Sequence, residues 1–135
     1  MTEPTTGHGL TRTLAIELVR RYAAAVSAGD ADALAAMFSL DATQQDPIDA
    51  PIKRGRAEIH AAFAGALPTD GTRLQFTAGP VRGGHATIAF QFDFSATTKD
   101  GAVSTISGID VFAVNDDLLI EAAVGYWGAD DIGQA

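Results

Sequence analysis

Apolar residues recur every fourth position at Leu14, Leu18, Tyr22 and Val26, the spacing that lays one stripe along an α-helix. Thr11 or Thr13 can cap its start, and Gly29 can end it. Tyr22 is therefore expected to point inward. Asp30 suits the cap of a second, short helix in which Leu34, Met37 and Phe38 share a face. The stretch from Thr43 to Asp46 reads as extended, because Pro47 pushes the residue before it out of the helical region. A third helix is expected over residues 56–67, with Ile59, Phe63 and Leu67 on one side.

After Pro68 the period changes to two, the mark of half-buried strands. Leu74, Phe76 and Ala78 alternate in the first of these, and Gly83-Gly84 is the expected turn into a second, where Ile88, Phe90, Phe92 and Phe94 share a face. Asp100-Gly101 signals the next hairpin, into a strand over residues 103–114. Asn115-Asp116-Asp117 turns again, into a last strand over residues 118–127. This order predicts an α+β domain, in which three N-terminal helices lie on one face of a curved antiparallel sheet and a conical cavity forms between them. Residues 11–132 form the expected single domain, and residues 1–10 a flexible tail.

Composition narrows the partners. The chain has 135 residues, no cysteine, and 9 Lys+Arg against 17 Asp+Glu, a net charge of -8. That balance argues against nucleic acid and anionic membranes, both of which attract basic proteins. A hydrophobic small molecule suits it better. Without cysteine there is neither a disulfide framework nor a thiolate, which fits the cytoplasm. The N-terminus lacks the basic and apolar segments of a secretion signal, and no apolar run is long enough to span a bilayer. His8, His60 and His85 show no metal-binding spacing.

Three polar residues carry the candidate chemistry, each with a plain structural alternative. Asp110 falls in the set Ile106, Gly108, Asp110, Phe112 and Val114 of its strand. If that face points inward, burial raises its pKa and keeps it protonated. The opposite face, with Val103, Thr105, Ile109 and Val111, is also apolar, so periodicity leaves the direction open. Asp46 before Pro47 could simply initiate a turn. Tyr22 could be a core tyrosine that supplies packing and one satisfied hydroxyl.

The segment RRYAAAVSAGDADALAAMF, residues 20–38, resembles the first two helices of the bacterial Δ5-3-ketosteroid isomerases, where a tyrosine opens a Y-x-A-A-x-x-x-G-D pattern. DATQQDP, residues 41–47, resembles their D-A-x-x-x-D-P element, and SGIDVFAVN, residues 107–115, resembles the strand that bears a hydrogen-bonding aspartate. The resemblance implies the cone-shaped fold shared with nuclear transport factor 2 and the SnoaL-like cyclases. It implies Asp46 as the proton-carrying base, with Tyr22 and neutral Asp110 as donors to the steroid oxygen. No cofactor or metal is implied. Phe38, Phe63, Phe90, Phe112 and Trp127 are the expected lining of the substrate pocket, and the family's habit suggests a homodimer. Phe38 and Phe63 fall where some members carry phenols that hydrogen-bond to the tyrosine, and phenylalanine cannot donate.

Fold alone selects no activity. There is no G-x-S-x-G elbow, and Gly83-Gly84 is no phosphate loop because no helix follows it. Arg54, Arg56, Arg73 and Arg82 read as loop or outer-face residues, which disfavours an Asp-Arg-Asp epoxide hydrolase site. Two functions remain: an isomerase of 3-oxo-Δ5 steroids or similar β,γ-unsaturated ketones, and a steroid-like small-molecule-binding protein of the same fold.

Overall fold

Helix α1 spans Arg12–Ala28 between the two caps its sequence advertises. The Thr11 side chain accepts from the Leu14 backbone N–H at 3.1 Å, and Gly29 closes the helix in the left-handed conformation, at φ 66°. The computed structural model describes residues 9–134. The buried stripe of α1 is Ala15, Leu18, Val19, Tyr22, Ala25 and Val26, whereas Leu14, expected on that stripe, is 40% exposed. The i+3 and i+4 steps from Leu18 set the face, and Leu14 lies at its margin.

Asp30 caps the short helix α2 (Ala31–Ala36) through a 3.0 Å bond from the Ala33 N–H. Phe38 does not continue that helix. It opens strand β1 (Phe38–Gln45), which is longer than the extended stretch read from sequence. A two-residue strand β2 (Lys53–Arg54) precedes helix α3 (Arg56–Ala66). Arg56 is half-buried, not outward-facing. Its Nε donates to the Phe38 carbonyl at 2.9 Å and its Nη2 at 2.5 Å, tying the start of α3 to the start of β1.

Strands β3 (Arg73–Ala78), β4 (Arg82–Gly84), β5 (Thr87–Thr97), β6 (Val103–Val114) and β7 (Ile120–Tyr126) follow. The first hairpin turns later than expected. Gly83 and Gly84 belong to β4, and His85 and Ala86 make the turn at φ 50° and 62°. A short 3₁₀ turn leads to β8 (Ile132–Gln134), which pairs with β6 and was not legible in the sequence.

The sheet runs β2-β1-β7-β6-β5-β3, with β4 on β5 and β8 on β6. It is mixed rather than antiparallel: β1 joins β7 in parallel, while the other pairs are antiparallel. Parallel neighbours need a long connection, and here everything from β2 to β6 lies between the two strands. Helices and sheet enclose one apolar core that includes Leu34, Phe38, Ile59, Ile88, Phe112 and Ile120. Leu10 is also buried in it, at 1% exposure, so packing begins inside the segment expected to be a tail. Residues 1–8 of that expected tail lie outside the described residues, and His8 with them. Among the described residues no helix is long and apolar enough to cross a membrane.

Candidate active site

A cavity of about 360 Å³ opens between α1, α3 and the concave face of the sheet, within the usual range for small-molecule sites. Phe63, Leu67, Phe76, Phe92, Phe94 and Ile106 supply apolar wall. Tyr22, Asp46, Asp110 and Trp127 meet on it, although they come from helix α1, the end of β1, strand β6 and the end of β7.

The sheet register explains how the two acids meet. Asp110 lies opposite Gly125 across the β6–β7 pair. On the other side of β7, the parallel register sets Gln45 beside Val124, so the chain delivers Asp46 next to Gly125. Gly125 has no side chain to fill the gap. A Cβ there would stand 2.7 Å from the Asp46 carboxyl carbon and 3.1 Å from its Oδ2. The glycine is therefore the seat on which that carboxyl rests. Gly108 works similarly one strand away, where a Cβ would meet the Trp127 Cβ at 2.9 Å.

The two carboxyls have different surroundings. Trp127 Nε1 donates to Asp46 Oδ1 at 2.5 Å. Asp46 has exposed surface because the cavity opens beside it, yet protein atoms displace water from its other sides. Desolvation raises its pKa from the ordinary carboxylate value, and the indole bond opposes that rise. Asp110 is 3% exposed and faces inward, which settles the direction that periodicity left open. Burial, then the nearby Asp46 charge, hold its pKa well above the carboxylate range. Both effects favour its protonated form. Burial first, then Asp110 and Asp46, also push Tyr22 well above its ordinary value.

Tyr22 is fixed by its neighbours, edge-on to Phe112 at 5.0 Å and to Phe76 at 5.5 Å between ring centroids. Among the described residues nothing hydrogen-bonds to its hydroxyl or to the Asp110 carboxyl. The cavity therefore brings together a phenol hydroxyl and two carboxyl groups, of which burial favours the protonated form most strongly at Asp110. Such a set can hold a developing oxyanion while a proton moves beside it.

Of the aromatic residues expected to line the pocket, Phe63 and Trp127 do so. Phe38, Phe90 and Phe112 do not. They are 0%, 2% and 1% exposed and form the layer behind the wall, because they pack between the sheet and the helices below the cavity floor. Phe38 and Phe63 stack 6.0 Å apart at a tilt. Gln44 and Lys53 also line the cavity, and neither was singled out from sequence. Gln44 shares the parity of Asp46 on β1, which is a usable signal. Lys53, in a strand of two residues, gives none. Arg54, Arg56, Arg73 and Arg82 stay off the cavity wall, and no group of metal-ligating side chains occurs among the described residues.

Comparison with known proteins bears on this geometry. Residues 19–122 match the SnoaL-like domain family. The chain belongs to that family, within the nuclear transport factor 2-like superfamily. A steroid Δ-isomerase of Nocardioides simplex is 35% identical over 115 residues, covering 84% of this chain and 89% of that protein. That relationship supports an isomerase. The fold also matches the epoxide hydrolase/cyclase-like enzyme SalBIII of pyran ring formation in salinomycin, at TM-score 0.79 and 26% identity, over 91% of this chain and 97% of that one. A Δ5-3-ketosteroid isomerase from Mycobacterium sp. aligns at TM-score 0.75 and 24% identity, over 90% and 98% of the two chains. At that last identity the likeness speaks for the fold.

Proposed function

We propose that this protein is a steroid Δ5-isomerase that moves the double bond of a 3-oxo-Δ5 steroid, or a similar β,γ-unsaturated ketone, into conjugation. Asp46 takes a proton from C4, the electrons delocalise onto the ketone oxygen as a dienolate, and the same carboxyl returns the proton at C6. Tyr22 and protonated Asp110 donate to the oxygen as its charge develops. Donors already aimed at that position are worth about 10²–10³ each in rate, because no solvent need reorganise. Ketosteroid isomerase is itself the standing example of a neutral aspartic acid beside a working base.

One observation carries this proposal: the two carboxyls of one apolar cavity have different surroundings, one buried and one open to the cavity beside an indole N–H. Asp110 is buried without a hydrogen-bond donor beside it, and Asp46 receives the Trp127 N–H and opens onto the cavity. The 35% identity to a steroid Δ-isomerase supports the same reaction. A homodimer belongs to the proposal as well. Ile109 and Tyr126 form a cross-strand pair on the outer face of β6–β7, 48% and 46% exposed, and a second copy would cover them. Sedimentation at micromolar concentration as a monomer would remove that part.

The test is to mix the protein with 5-androstene-3,17-dione and follow the ultraviolet absorbance of the conjugated product. Asp46→Asn should lose about 10²–10⁴-fold or more in kcat, since the amide cannot take up the proton, and should still bind planar phenolic steroids. Turnover by Asp46→Asn near that of the wild type would refute Asp46 as the base. A second reading, a binding protein with little turnover, rests on the Tyr22 hydroxyl: Phe63 lines the cavity without a phenol to support it. Tight steroid binding with no isomerisation above buffer would favour that reading.

A further inference from the structure

Beyond the two acids, the cavity wall carries one more pair of polar side chains. Gln44 and Lys53 are direct partners across the β1–β2 pair, so their side chains leave the sheet on the same face. Both line the cavity. Gln44 is 7% exposed, yet its amide makes no hydrogen bond with any described residue. A buried amide without a partner costs free energy unless a ligand or solvent satisfies it. Lys53 is half-buried, and among the described residues it forms no ion pair. It is the cation of a wall that otherwise holds acids, aromatic rings and aliphatic groups.

The sheet also fixes where this pair lies relative to the reacting end. The register runs from Lys53 to Gln44, then Ala123, then Phe112, and Asp110 is two residues from Phe112 on the same face of β6. Three strand spacings separate β2 from β6, about 14 Å along the sheet. An elongated ligand with its ketone oxygen at Tyr22 and Asp110, lying across Asp46, brings its other end towards β2.

We propose that Gln44 and Lys53 form a second polar subsite, which binds a carboxylate on the end of the substrate remote from its ketone. This rests on the isomerase reading for which end carries the ketone, and it narrows the substrate to polycyclic keto acids. The ammonium supplies charge and the Gln44 amide nitrogen a directed hydrogen bond, which together recognise a carboxylate oxygen pair. The net charge of -8 opposes an anion only at long range, since exposed charges are screened beyond about 8 Å at physiological ionic strength. On the cavity wall, Lys53 is the charge that stands directly beside the Gln44 amide, its cross-strand partner.

The test is calorimetric and needs no turnover. The probes are a conjugated 3-oxo steroid bearing a side-chain carboxylate, its methyl ester, and the corresponding 17-ketone. Wild-type protein should bind the acid about 10-fold more tightly than the ester, the scale of one hydrogen bond to a charged group, and high salt should shrink the ratio. Lys53→Met should bring the ratio to near one without weakening the 17-ketone. Lys53→Arg should keep the preference, and Gln44→Val should reduce it in part. An acid that binds no better than its ester, or a preference that persists in Lys53→Met, overturns the subsite. Because the ligands are already conjugated, failure of the isomerisation assay with the acid preference intact would remove the activity and leave the subsite standing.

Discussion

Gly125→Ala probes the placement of the Asp46 carboxyl without touching a polar group. The added methyl would stand 2.7 Å from the Asp46 Cγ, whereas carbon atoms meet comfortably at about 3.5 Å. The carboxyl must therefore retreat by about 0.8 Å, or rotate away from β7. Either movement disturbs the 2.5 Å bond from Trp127. A misplacement of about 1 Å at a reacting group can cost 10²-fold in rate, which is about 2.7 kcal/mol of barrier. We expect Gly125→Ala to lose about 100-fold in kcat with little change in KM, read from initial rates with 5-androstene-3,17-dione. The thermal midpoint should move little, because the cavity can absorb the displaced carboxyl. Gly128→Ala is the matched control, since nothing lies within 4 Å of a Cβ at that position. A Gly125→Ala protein with kcat within twofold of the wild type would refute the idea that this glycine seats the base.

Tyr22→Phe deletes one O–H donor and keeps the ring contacts to Phe76 and Phe112, so kcat should fall by about 10²–10³ while KM holds; a larger rise in KM than fall in kcat would contradict the assignment. Trp127→Phe removes the hydrogen bond that lowers the Asp46 pKa and leaves the desolvation that raises it, so the acid limb of kcat/KM should move to higher pH. An unmoved limb would mean that another group sets it. Asp110 bears on stability in a definite direction. Its folded pKa is raised, so its contribution is fully present below the unfolded carboxylate pKa, about 3.9, and is lost as pH rises from there towards the folded pKa. Asp110→Asn cannot ionise in either state, and its thermal midpoint should gain on that of the wild type between about pH 4 and neutrality. A difference independent of pH would mean that Asp110 is charged in the folded protein.

Local chemistry was legible in the sequence wherever a few neighbouring residues decide the outcome. Thr11 and Gly29 bound α1 because capping is a matter of one side chain and one left-handed residue. Strand β6 occupies Val103–Val114, the span read from its alternation and its flanking turns. The segments bearing Tyr22, Asp46 and Asp110 could also be recognised as motifs, since each motif is contiguous. What the sequence could not decide is set by contacts between distant segments. Period two names two faces of β6 without saying which is inside, and it took the helices on one side to bury Asp110 and leave Ile109 48% exposed. The parallel pairing of β1 with β7 follows from where the chain returns after four intervening strands of the same sheet path, so no local signal announces it. That pairing brings Asp46 onto Gly125, and it carries Gln44 and Lys53 to the cavity's far wall. Phe63 and Phe38 look alike in one dimension. Only packing in depth makes the first a wall of the cavity and the second part of the core behind it.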